Sequence, residues 1–99
     1  MTDAELRALL NDCLALWDVK ARLEADDEGL EIQAEAGVFL VQRAPEDMHP
    51  VRWLLRTPER HAAGRPPRAL PSIVALLAAL RNALGAESGT RVIIGAPAA

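Results

Sequence analysis

The sequence predicts an α+β domain in which two helices pack on one face of an antiparallel sheet of four to five strands. Apolar residues recur at three- and four-residue steps near the N-terminus and again over residues 72–84, which is the period of an amphipathic helix. Between these segments apolar and polar residues alternate, as they do in strands. With 99 residues, the chain is expected to form a single domain, 1–99, with one core. The predicted order is α-β-β-β-β-α-β. Whether the first strand exists is left open, because residues 18–25 also suit a continuation of the first helix.

The first helix is predicted to begin at Asp3. Thr2 and Glu5 have the spacing of a capping box, in which each side chain accepts a hydrogen bond from a backbone N–H. Cys13 lies on the apolar stripe, so we expect a packed, inert thiol. Residues 18–25 fit a strand slightly better than a continuation of the helix. The apolar stripe of this helix comprises Leu6, Leu9, Leu10, Cys13, Leu14 and Trp17.

Three further strands are predicted between residues 30 and 56. Residues 30–35 and 51–56 alternate apolar and polar side chains, and residues 38–41 are apolar on both faces, which is typical of a central strand. Residues 44–50 hold two prolines and two acidic residues and are typical of a loop. Trp17 and Trp53 lie on apolar stripes and are expected in the core. The sheet face away from the helices should be mostly polar and should carry Lys20, Arg22, Glu31, Gln33, Glu35, Arg52 and Arg56.

The C-terminal part of the chain begins with a segment that has no periodicity. Residues 58–71 contain four prolines, one glycine and four basic residues, and are expected to form a long loop. A second helix follows over residues 72–84, with Ser72 as its cap and Gly85 as its end. A last strand is predicted at residues 90–94, followed by a frayed tail at 95–99.

The charge is distributed unevenly along the chain. The net charge is −3, but residues 1–35 carry ten acidic and three basic residues, whereas residues 36–99 carry eight basic and four acidic ones. The two parts should attract each other, within one molecule or between two copies. Arginine outnumbers lysine ten to one, which is typical of a GC-rich bacterial genome.

The composition points to a protein of the cytoplasm. The acidic N-terminus is not followed by an apolar segment, so no signal peptide is expected. The apolar run over residues 73–80 is too short to cross a bilayer, and no membrane partner is expected. A single cysteine, Cys13, fits a reducing compartment.

No motif predicts a catalytic residue, a metal ligand or a cofactor. His49 follows two acidic residues in a loop, and His61 lies twelve residues later, without the close spacing of a zinc site. The six glycines do not fall in the order of a phosphate-binding loop. The sequence leaves open whether the chain is an enzyme, and the lack of a catalytic motif disfavours it.

A run of basic residues is the one feature that suggests a binding site. Between residues 52 and 68, Glu59 is the only acidic residue. Arginine side chains suit carboxylates and phosphates because their donors form a planar fork. This segment either covers the acidic part of the same chain or binds a partner. The candidate partner-binding residues are Arg52, Arg56, Arg60, His61, Arg65 and Arg68.

Three hypotheses for function follow. The leading one is a small non-enzymatic protein-interaction module, adaptor-like or chaperone-like, that self-associates as a homodimer through an edge strand or the second helix. The alternative is nucleic-acid or phospholigand binding through residues 52–68, which the acidic net charge and three aromatic residues disfavour. The third is a small metal-dependent or acid–base enzyme that uses His49 and His61.

Overall fold

A meander of five antiparallel strands forms the centre of the structure, a computed structural model that describes residues 1–88. The strands lie in the sheet in the order β1-β2-β3-β4-β5, which is also their order in the chain. The elements are α1 (Asp3–Leu16), β1 (Ala21–Ala25), β2 (Leu30–Ala34), β3 (Gly37–Arg43), a 3-10 turn (Glu46–Met48), β4 (Trp53–Arg56), α2 (Pro58–Ala62), β5 (Arg68–Leu70) and α3 (Ile73–Ser88).

The predicted fold class is confirmed, and the order α-β-β-β-β-α-β is found up to β5, with α3 after it. Residues 18–25, which were left open, contain strand β1. The predicted central strand is the middle strand of the sheet, β3. The predicted second helix is α3, which runs through Gly85 to Ser88 because a helix tolerates one glycine at a cost of roughly 1 kcal/mol. The strand predicted at 90–94 and the tail at 95–99 lie outside the described residues.

The segment 58–71 differs from the long loop that its composition predicts. Pro58 occupies the first turn of α2, where its fixed φ favours a helix and its missing N–H costs nothing. The Thr57 hydroxyl caps this helix by accepting a hydrogen bond from the backbone N–H of Arg60, at 3.2 Å. Farther along, residues 68–70 pair with β4 as the edge strand β5. Both elements are too short to produce a recognisable period.

The predicted capping box at the start of α1 is present. The Thr2 hydroxyl accepts from the Glu5 N–H at 3.1 Å, and the Glu5 carboxylate accepts from the Thr2 N–H at 2.8 Å. Hydrogen bonding to the Glu5 carboxylate, first from the Thr2 backbone N–H and then from the Thr2 side chain, lowers the pKa of Glu5. The helix ends at Leu16, and Asp18 then takes a left-handed conformation with φ of 59°.

The capping box makes a prediction about pH. A carboxyl group whose pKa is lowered by folding stabilises the fold above its unfolded-state pKa and loses that contribution as the pH falls through its folded-state pKa. Thr2→Ala removes the contribution of the Thr2 side chain but keeps the backbone N–H, so the pKa of Glu5 should rise part of the way toward its ordinary value. An NMR titration of the Glu5 side-chain carboxyl carbon measures this shift. Thr57→Ala removes the cap of α2 instead and should leave Glu5 unchanged; an equal shift in both variants would contradict the assignment.

Both long helices pack on the same face of the sheet. The strand register aligns Leu23, Ile32 and Phe39 in one cross-strand row and Leu30, Val41 and Leu55 in the next. Side chains of α1 and α3 join these rows in a single buried cluster, and the helices contact β1 and β4–β5, respectively. The helical members of this cluster are Leu6, Leu10, Leu14, Leu76, Ala79, Leu80 and Leu84.

Candidate interaction surface

The sheet face opposite the two long helices, here called the outer face, carries both charged and apolar side chains. Alternate residues of a strand point to opposite faces, so the register that aligns the core rows also defines this face. Its residues are Arg22 and Glu24 of β1, Glu31 and Gln33 of β2, Val38, Leu40 and Gln42 of β3, Leu54 and Arg56 of β4, and Ala69 of β5.

The centre of the outer face is apolar. Val38 keeps 45 % of its surface exposed, and Leu54 on the neighbouring strand is half-buried. Leu40 is fully buried but does not belong to the cluster formed with the helices, which places it beneath its neighbours on the outer face. Short helix α2 contacts β3 nearby. Val38 and Leu54 lie in different cross-strand rows, with the row of Leu40 between them, and these three residues form the apolar part of this face.

One side of the outer face is acidic. Glu24 and Glu31 lie directly opposite each other on β1 and β2. The side-chain amide of Gln33 donates to both carboxylates, at 2.9 Å to Glu24 and 3.2 Å to Glu31. Like charges in a directly opposed cross-strand pair destabilise a sheet. The two carboxylates are therefore connected by a neutral amide and not by a cation.

Replacing one member of this pair should stabilise the isolated chain. In Glu24→Lys, a cation lies opposite Glu31, and we expect the free energy of unfolding to rise by about 0.5 kcal/mol. Urea denaturation at low protein concentration and low salt measures the change. Glu35→Lys alters the net charge equally but lies in the exposed β2–β3 turn, and should leave stability nearly unchanged. A loss of stability in Glu24→Lys would show that the like-charge pair does not destabilise the isolated chain.

The other side of the outer face is basic. Arg56 lies in the last position of β4, and Arg52, one residue before that strand, continues the same alternation. Leu54 separates them. Arg52 is exposed and Arg56 is half-buried. Two of the six residues predicted to bind a partner thus lie together on this face.

The remaining four predicted residues are divided between other roles. Arg60 is half-buried on α2, and its guanidinium donates to the carbonyl oxygen of Pro66 at 3.0 Å, so it closes the connection between α2 and β5. His61 and Arg65 are exposed around the end of α2. Arg68 is also exposed, but its pairing with Leu55 places it on the helical side of the edge strand. The six residues therefore do not form one cluster.

In the order of strands, the basic residues and the acidic β1–β2 hairpin lie on opposite sides of β3. Strands β1 and β5 are its two edges, so the segment 52–68 is not folded over the β1–β2 hairpin. Across the row Glu31–Leu40–Arg56, the two charged residues are two strand spacings apart, about 10 Å. Among residues 1–85, the one salt bridge joins Arg43 to Asp3, at 3.2 Å. The uneven charge is thus left largely unpaired in the part of the chain that the structure describes.

Arg43 has a structural role that the sequence did not reveal. Its guanidinium lies 5.0 Å from the centroid of the Trp53 ring and donates to the carbonyl oxygen of Met1 and the carboxylate of Asp3. Trp53 itself is 5 % exposed and belongs to the core, as predicted. The β3–β4 register pairs Arg43 with Trp53, which alternation along the chain does not show. This contact ties the start of the chain to the sheet.

The candidate groups for chemistry lie apart. Cys13 is half-buried, and its burial, followed by the charge of Asp12, raises the pKa of the thiol, which keeps it protonated and weakly nucleophilic. His49 and His61 are exposed in different segments. Over residues 1–88, no three His, Cys, Asp or Glu side chains are grouped so that they could hold a metal ion.

No helix within the described residues is long and apolar enough to span a bilayer. Comparison with protein-family models, curated proteins and solved structures finds no match. The case for a function therefore depends on the geometry of the outer face.

Proposed function

We propose that this chain is a non-enzymatic protein-interaction module, adaptor-like or chaperone-like, that self-associates and uses the outer face as its contact surface. One observation carries the proposal: on the outer face, strand β3, which bears the exposed Val38, lies between an acidic pair on one side and two arginines, Arg52 and Arg56, on the other. Neither arginine forms a salt bridge among residues 1–85. A partner that covers this face gains apolar contact at the centre and charge pairing on both sides.

The mixed chemistry of the outer face favours a protein partner over a nucleic acid. A nucleic-acid surface needs a continuous positive potential with aromatic side chains for stacking. Here Glu24 and Glu31 occupy the same face as Arg52 and Arg56, and the aromatic residue nearest in the chain, Trp53, is buried on the opposite side. Arginine at the margin of an apolar patch is common in protein interfaces.

Site-specific photo-crosslinking in living cells tests this proposal. A photoreactive phenylalanine analogue placed at Val38 should give discrete protein adducts. The same analogue at Leu16, which is 83 % exposed at the end of α1, is the matched control and should give none above background. Adducts should also weaken when Arg56→Glu is added to the Val38 probe. Equal labelling from both positions, or none from Val38, would overturn the proposal.

Nucleic-acid or phospholigand binding is the second candidate. It is favoured by the absence of any salt bridge to Arg52, Arg56, Arg65 or Arg68 within residues 1–85. Fluorescence anisotropy with labelled single-stranded DNA and RNA, over a salt series, separates the two functions. Affinity that falls steeply with salt and is lost in the double variant Arg52→Ala/Arg56→Ala would favour this candidate. The proposed module predicts weak binding that these substitutions do not change.

A further inference from the structure

We propose that the occupant of the outer face is a second copy of this chain, related by a two-fold axis that runs along β3, so that Glu31 of each copy pairs with Arg56 of the other. The inference rests on the proposed function and names its partner and geometry. Two-fold contacts are isologous, which means that one surface must be complementary to itself. The outer face meets this condition because of where its charges lie relative to β3.

In the cross-strand row of Leu40, the charge pattern is symmetric about β3 with opposite sign. Leu40 of β3 is paired with Glu31 on one side and with Arg56 on the other, each one strand spacing away, about 4.8 Å. A half-turn about an axis parallel to β3, between two facing sheets, exchanges these sides. It therefore places Glu31 of one copy over Arg56 of the second, and Arg56 over Glu31. Both charges, which form no salt bridge within residues 1–85, then gain a partner of opposite sign.

The same rotation aligns the rest of the face. It sets β3 over the partner's β3, so that the exposed side chain of Val38 meets its own copy. It also brings Arg52 over the β1–β2 turn, where residues 26–28 are all acidic. Facing sheets pack about 10 Å apart, a gap that long glutamate and arginine side chains can bridge. The sheet is only about 20 Å wide, so we expect a small interface and a weak, salt-sensitive dimer.

The sheet edges are less suited to this role. On edge strand β1, the carbonyl oxygen of Leu23 already accepts a hydrogen bond from the guanidinium of Arg7 on α1, at 3.1 Å. On the other edge, β5 has only three residues. Blocked and very short edges both oppose strand-to-strand association. The competing surface is α3, whose Val74 is 73 % exposed.

A pair of charge-reversed variants tests the inference directly. One variant, Glu24→Lys/Glu31→Lys, makes both sides of the outer face basic, and the other, Arg52→Glu/Arg56→Glu, makes both sides acidic. Sedimentation equilibrium of each variant alone should show self-association weakened by at least about tenfold relative to the unchanged chain. An equimolar mixture should recover the dimer, because each basic side then faces an acidic side. Circular dichroism and urea denaturation establish that both variants fold.

Two single substitutions distinguish the outer face from α3. Val38→Glu should dissociate the dimer, whereas Val74→Glu should leave it intact. Dissociation by Val74→Glu alone, a mixture that stays monomeric, or an unchanged chain that is monomeric at high micromolar concentration would each overturn the inference. Crosslinking from Val38 to another protein, with this chain monomeric, would refute the dimer and the self-association but leave the outer face as a protein-contact surface. A dimer that gives no adducts from Val38 would overturn both the inference and the proposed use of the outer face.

Discussion

Replacing Phe39 with alanine should lower the free energy of unfolding by about 4 kcal/mol, which is the largest effect that we expect from any single substitution. Phe39 is completely buried at the centre of the middle strand, in the cross-strand row with Leu23 and Ile32 and within the cluster that both long helices share. The truncation removes apolar contact and leaves a cavity that residues on three strands and two helices would have to fill. Chemical denaturation monitored by far-ultraviolet circular dichroism measures the change.

The adjacent residue supplies the control for this experiment. Val38→Ala changes the same strand but points to the outer face, where 45 % of the side chain is exposed, so it should cost less than about 1 kcal/mol in the monomer. The two substitutions also separate stability from association: Phe39→Ala acts on folding, and Val38→Ala on the proposed dimer. Comparable losses of stability in both variants would mean that the two faces of β3 are assigned incorrectly.

Gly29→Ala should destabilise the fold by about 3 kcal/mol. This residue ends the β1–β2 turn with φ of 155°, a conformation that side chains rarely allow. A Cβ atom there would overlap the backbone carbonyl oxygen of Val41 on β3, and no rotamer change can relieve an overlap with backbone. The sheet itself would have to shift between β2 and β3. Thermal and urea denaturation measure the loss.

Gly64→Ala is the matched control for the turn glycine. Gly64 also has a positive φ, of 68°, but no atom lies within 4 Å of the position that a Cβ would occupy. Its replacement should cost only about 1 kcal/mol, the strain of the backbone conformation alone. The difference between the two variants therefore isolates the steric overlap at β3. If both lose the same stability, the close approach of the β1–β2 turn to Val41 is not real.

Much of the fold could be predicted because apolar residues in its longer helices and strands recur with the period of that secondary structure. Helix α1 has a capping box and a continuous apolar stripe, and strands β2 and β3 alternate or are apolar throughout, as their burial requires. Helix α2 and strand β5 were missed because five and three residues are too few to show a period. Prolines suggested a loop there, although Pro58 is at a position where helices accept it.

The candidate surface could be predicted only in part. Alternation correctly indicated a mostly polar outer face with Arg52 and Arg56 on it, but it does not give the order of strands. That order decides that Glu31 and Arg56 flank Leu40 and that the basic segment lies away from the acidic hairpin. Spacing along the chain also grouped Arg60 and Arg68 with these residues, although one closes a turn and the other lies on the far side of an edge strand.

The plain meander order of the sheet has a consequence for how the chain folds. Each strand pairs with its neighbour in sequence, α1 contacts β1, and α3 contacts β4 and β5, so the pairs of elements in contact are close along the chain. Loop closure then costs little entropy at each step, and folding rates rise as the mean sequence separation of contacts falls. The sheet can grow outward from its central hairpin β2–β3. We therefore expect the strands to pair rapidly, without a slow search for distant partners.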